Sequence, residues 1–179
     1  MKVKDAEIVF IPGSAGLDER HWLARWQGRL STGRRLEIDP ADTANPGSWV
    51  QKIALAVNEA QRPVVLVAHG LGVTASIHAA GGFSVPVAGA FLVAPADPST
   101  KGNAFQPFPV GPLAFPSVLV ASRNDPHCDF MRAEEFAADW GSQLIDAGTV
   151  GRLDVESGHG PWPEGSLTFA RFVSRLSAD

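Results

Sequence analysis

The 179-residue chain holds one cysteine, Cys128, so neither a disulfide framework nor a cysteine-based metal site can be assembled within it. It has no surplus of basic residues, because 15 Lys and Arg stand against 19 Asp and Glu, a formal charge of −4. That balance excludes the cationic footprint of a nucleic-acid binder or of a protein held on anionic membranes. A small molecule, a ligand or an acyl substrate, is the expected partner, with a protein partner left open. Long hydrophobic runs are lacking too. The first apolar run, residues 8–11, is far too short to span a bilayer, and Met1-Lys2-Val3-Lys4-Asp5 offers no apolar leader stretch, so no membrane association and a cytoplasmic location are expected. The histidines stand at no metal-ligand spacing with carboxylates, and neither a metal nor a cofactor is expected.

What the chain does have is core: 45% of its residues are hydrophobic and 19% charged, which suits one well-filled domain over residues 1–179. The centre of the pattern is Val64-Val65-Leu66-Val67-Ala68-His69-Gly70-Leu71-Gly72, followed by the small-residue run 73–80. Five apolar, mostly β-branched residues predict a strand buried on both faces, and the Ala-rich segment predicts a helix packed closely on a sheet. A sharp turn must join them at Gly70.

On either side the same alternation continues. Residues 8–11 predict a strand that ends in Pro12-Gly13-Ser14-Ala15-Gly16, a loop able to turn backbone N–H groups toward a ligand. Trp22, Trp26 and Leu30 recur every four residues and predict a helix over 21–30. A strand is expected over 35–38, turns over 39–47, and a helix over 48–60 with Val50, Ile53, Ala54 and Val57 inward. Further strands are expected over 87–94, 117–121 and 143–145, and helices over 131–140 and 167–176, with a long Pro- and Gly-rich loop over 95–116. Strands alternating with helices predict an α/β fold with a mostly parallel sheet covered on both faces, which binds ligands outside the carboxyl ends of its strands.

Three stretches in order resemble the small, cap-less α/β-hydrolases known as YdeN-like or retinoblastoma-binding-protein-like serine hydrolases. They are Pro12-Gly13 with His21-Trp22 and Trp26, then Ala121-Ser122-Arg123-Asn124-Asp125-Pro126, then Gly151-Arg152-Leu153-Asp154 with the segment from Ser157 to Gly165. The resemblance implies a single-domain α/β-hydrolase fold without a cap, and hydrolysis of acyl esters or amides by a Ser-His-Asp triad. Matched position by position, Gly70 stands at the nucleophile, Arg152 at the histidine and Asp125 at the acid. The resemblance implies oxyanion donors at Leu71 and in the Ser14 region, with His21 beside the pocket.

Glycine offers no nucleophile, and a permanently protonated arginine is no general base near neutral pH. Weak or absent serine-esterase activity is therefore expected. An Asp125–Arg152 ion pair is expected in place of the acid–imidazole bond, and His159 is the candidate substitute base. Alternatives to a weakened hydrolase are a non-catalytic binding or interaction protein that uses the retained pocket, and an active hydrolase carrying an engineered replacement at Gly70.

Overall fold

The computed structural model describes residues 1–100 and 104–177. Six strands form one open sheet in the order β2-β1-β3-β4-β5-β6, and every neighbouring pair is parallel. They are β1 (Glu7–Ile11), β2 (Gly33–Arg35), β3 (Val64–His69), β4 (Val87–Val93), β5 (Ser117–Ala121) and β6 (Gln143–Asp146). The helices are α1 (Trp22–Gln27), α2 (Pro40–Ala44), α3 (Pro46–Asn58), α4 (Leu71–Ala79), α5 (Phe130–Trp140) and α6 (Pro163–Arg175).

The period-2 alternation of side chains sorts each central strand between two cores. Val9, Ile11, Leu66, Ala68, Leu92 and Leu119 face one layer, built from α3, α4 and α5 through Trp49, Ile53, Val73 and Phe136. Ile8, Phe10, Val65, Val67, Phe91 and Val120 face the other, built from α1 and α6 through Trp22, Trp26, Phe169 and Phe172. All six residues of β3 are buried, as a strand covered on both faces requires. Full burial of side chains such as Phe10, Phe91 or Leu66 contributes roughly 1.5–3 kcal/mol each.

Several boundaries differ from expectation. Helix α1 stops at Gln27 with Gly28 as its cap, so Leu30 lies beyond it. Strand β2 covers 33–35 rather than 35–38, because its register on β1 begins at Ile8↔Gly33. The turn-rich segment 39–47 contains α2, whose start is fixed by Pro40 and by reciprocal Asp39–Asp42 capping bonds. In α3 the buried face is Trp49, Ile53, Ala56 and Val57, with Val50 and Ala54 only half-buried. Helix α6 begins at Pro163, four residues before the predicted start. The connection from β4 to β5 holds no helix or strand among its described residues, and residues 101–103 of the predicted loop lie outside them.

The strand order places the switch point between β1 and β3. From β1 the chain moves outward to β2, then returns to β3 on the other side and continues to β6. The crevice outside the carboxyl ends of β1 and β3 is where such sheets bind ligands, and it is here that Gly13 and Gly70 meet. No helix among the described residues is long and apolar enough to cross a membrane.

Candidate active site

The turn after β3 is tight. Gly70 has φ 58° and ψ −127°, a conformation that strains any residue with a Cβ. Its N–H donates to the Val93 carbonyl at 3.0 Å, and its own carbonyl accepts from Val73 N–H at 3.0 Å, so the bend is held from both sides. The β1 loop presses against it, since a Cβ on Gly13 would lie 2.8 Å from the His69 carbonyl oxygen. A Cβ on Gly72 would lie 2.6 Å from the carbonyl oxygens of Ile11 and Pro12. Two glycines thus let the elbow and the β1 loop share one small space. The Leu71 N–H, in the first turn of α4, has no acceptor within the helix.

Arg152 comes to this apex from the loop after β6. Its Nη2 lies 3.7 Å from the point a Cβ on residue 70 would occupy. Two hydrogen bonds and one buried side chain hold the loop. His69 Nε2 donates to the Arg152 carbonyl at 2.7 Å, and Trp22 Nε1 donates to the Leu153 carbonyl at 2.8 Å. Leu153 itself is buried at φ 53°, in the left-handed region.

The ion pair expected between Asp125 and Arg152 is not formed at contact distance. Arg152 instead has Asp154 as its nearest carboxylate partner, Nη1 to Oδ2 3.9 Å, because the two residues share one turn. Asp125 Oδ1 accepts from the His127 N–H at 2.8 Å, and burial raises its carboxyl above the ordinary value, against the pull of that bond and of Arg152. Burial also works to raise Asp154, but the Ser157 N–H and hydroxyl, with Arg152, outweigh it and leave that carboxyl lowered.

His21 caps α1, its Nδ1 accepting from Leu23 N–H at 3.1 Å, and this assigns the ring proton to Nε2. Its ring meets that of His69 edge-on at 4.7 Å between centroids. Burial pushes His21 down to about 3, with His69 adding to the effect, and burial pushes His69 down to about 4. Both are neutral imidazoles at pH 7. Neither His69 nor Asp154 is a site residue in the sequence reading, although each is adjacent or nearly so to a residue that is.

The cleft has a volume of about 340 Å³, and its walls include Gly13, Ser14, His21, His69, Arg152 and Asp154. His159 is not among its lining residues. Its Nδ1 lies 3.4 Å from the Ser157 hydroxyl, and its ring faces a separate cavity bounded by Ile145, Leu153 and Trp162. The structure therefore gathers Gly70, Arg152, Ser14 and His21, and keeps the candidate substitute base on another surface.

Residues 8–171 match the family model described as serine hydrolase. The chain belongs to the serine hydrolase family. Among solved structures, a YdeN-like hydrolase from Pectobacterium atrosepticum is 32% identical, with a TM-score of 0.86 over 94% of this chain and 91% of that one. The ydeN product of Bacillus subtilis is 17% identical, with a TM-score of 0.78 over 94% of this chain and 100% of that one. An α/β-superfamily hydrolase from Xanthomonas campestris is 21% identical, with a TM-score of 0.71 over 96% and 99%. No curated protein matches the chain. The serine hydrolase family thus agrees with the resemblance carried by the three sequence stretches, and the α/β-hydrolase neighbours agree with the parallel sheet.

Proposed function

We propose that this member of the serine hydrolase family does not carry out serine-dependent acyl transfer and uses the cleft between the β1 loop and the Arg152 loop to bind a small molecule. One observation carries the reading: the elbow apex is Gly70, and the group set over it is the Arg152 guanidinium, 3.7 Å from the Cβ point. Acyl transfer by a triad needs a hydroxyl to attack and an imidazole to take its proton. Glycine supplies no oxygen, and a guanidinium stays protonated. Asp125, the matched acid, bonds to the His127 backbone and has no imidazole to orient. What remains of the machinery is electrostatic, namely the Leu71 N–H at the start of α4 and the loop around Ser14, which can hold an oxygen without activating a nucleophile.

Hydrolysis of 4-nitrophenyl butyrate by the chain and by its Gly70→Ser, Arg152→His double variant tests the proposal. Turnover is expected in the double variant alone. Comparable turnover by the unaltered chain, or its labelling by a fluorophosphonate, overturns the reading.

A further inference from the structure

The cleft contains more hydrogen-bond donors than it uses. Arg152 carries five N–H donors, and none of them makes a hydrogen bond to a described residue; its nearest carboxylate is 3.9 Å away. His21 is 5% exposed and lines the same cleft, and its Nε2, the protonated nitrogen, has no hydrogen-bond partner among the described residues. Beside the cleft, the Leu71 N–H at the start of α4 has no hydrogen-bond acceptor among the described residues, and the helix dipole adds partial positive charge there. Residue 70 has no side chain, and the point its Cβ would occupy meets the guanidinium at 3.7 Å and Gly13 Cα at 3.6 Å, ordinary contact distances. A planar fork of donors, a neutral imidazole N–H and a helix N-terminus together call for a ligand that only accepts.

We infer that the cleft binds a monocarboxylate, its two oxygens paired with the Arg152 guanidinium and one of them reaching the elbow N–H of Leu71. The inference rests on the proposed binding role and names its ligand class. A carboxylate matches the guanidinium plane with two parallel bonds, whereas a tetrahedral anion does not use the fork and the elbow in the same way. The surrounding charge sets the limit of one negative unit. Asp154 and Glu156 lie in the same walls, and Asp125 is close enough to feel Arg152, so a dianion meets repulsion that a monoanion largely escapes. Asp18, also in the wall, is already neutralised by Arg20 at 2.6 Å. The cleft volume of about 340 Å³ suits a short or medium acyl tail.

Calorimetric titration of the whole chain with sodium butyrate and sodium hexanoate, beside butyramide and inorganic phosphate, tests this. One saturable site is expected for the carboxylates, with butyramide and phosphate each at least about tenfold weaker. Arg152→Leu is expected to weaken butyrate about tenfold or more, and Arg152→Lys, which keeps the charge but not the fork, by a smaller factor. Unchanged melting of Arg152→Lys guards against misreading a folding defect. Absence of saturable carboxylate binding at tens of millimolar, tighter binding of phosphate, or full butyrate affinity in Arg152→Leu overturns the inference. Ester turnover by the unaltered chain sinks the non-hydrolytic reading alone, since a carboxylate would then bind as product. Carboxylate silence in a chain that also fails to hydrolyse esters sinks the ligand assignment alone.

Discussion

Arg152 lies over Gly70: the guanidinium Nη2 is 3.7 Å, a contact distance, from where a side chain at residue 70 would begin. The two departures from a Ser-His pair are therefore coupled. A serine placed alone at position 70 meets a guanidinium that cannot take its proton, and a histidine placed alone at 152 faces no hydroxyl. Members of a triad act as a unit, and restoring one at a time restores little. Each single variant, Gly70→Ser or Arg152→His, is expected to turn over 4-nitrophenyl butyrate no faster than the parent, and the double variant at least about a hundredfold faster. Additive gains from the singles would show that the two positions do not work together. Gly70→Ser should also lose about 1 kcal/mol of stability, since φ 58° suits glycine and strains serine.

What the sequence revealed of this arrangement depended on how local each cause was. Strand β3 and the elbow were legible because an unbroken apolar run, a glycine and an Ala-rich helix declare themselves within seventeen residues, 64–80. Segment 39–47 was not, because Pro40, Asp42, Asn45 and Pro46 are turn formers that serve equally as helix-start signals, and here capping won. Strand β2 lies two residues earlier than its apolar pattern suggests, since an edge strand takes its register from its neighbour. Long-range facts were out of reach. Nothing local tells that Asp125 stays beyond contact distance of Arg152, or that the sheet brings His21 and His69 ring to ring.

Gly72 predicts a steep packing penalty. A Cβ there would sit 2.6 Å from two backbone carbonyl oxygens of the β1 loop, atoms that cannot swing aside as a side-chain tip can. Gly72→Ala is expected to cost about 3 kcal/mol in chemical denaturation. Gly81→Ala is the matched control: nothing lies within 4 Å of its Cβ point, and its φ is ordinary, so a gain of about 0.5 kcal/mol is expected. Equal effects at the two sites would refute the close approach of α4 and the β1 loop.

The bond from Trp22 Nε1 to the Leu153 carbonyl ties α1 to the loop that carries Arg152. Trp22 is fully buried, so Trp22→Phe leaves that carbonyl without its donor in a dry setting. A loss of about 1–3 kcal/mol is expected from the unpaired carbonyl, beyond the lost ring area. Amide exchange should rise most over residues 150–155. Faster exchange confined to α1, with the loop unchanged, would show that the tryptophan packs without positioning Arg152.

His21 and His69 make the fold acid-sensitive. Their folded values, about 3 and about 4, lie below the ordinary 6.5, so between pH 6.5 and pH 4 the unfolded chain binds protons that the folded chain refuses. Stability therefore rises with pH across that window and falls on acidification, by up to about 1.4 kcal/mol per pH unit for each histidine. His78, lowered by burial, acts in the same direction. Asp125, raised by burial, acts against it only as the carboxylate range is approached, where the lowered Asp42 and Asp154 add to the acid loss. Melting temperature should thus drop between pH 7 and pH 5, before carboxylates titrate. His21→Asn keeps an oxygen to cap the Leu23 N–H and removes one of the buried imidazoles, so its pH 7 to pH 5 slope should be markedly shallower than that of the parent. An unchanged slope would mean that His21 takes up its proton in the folded chain near the ordinary value, and that other groups make the fold acid-sensitive.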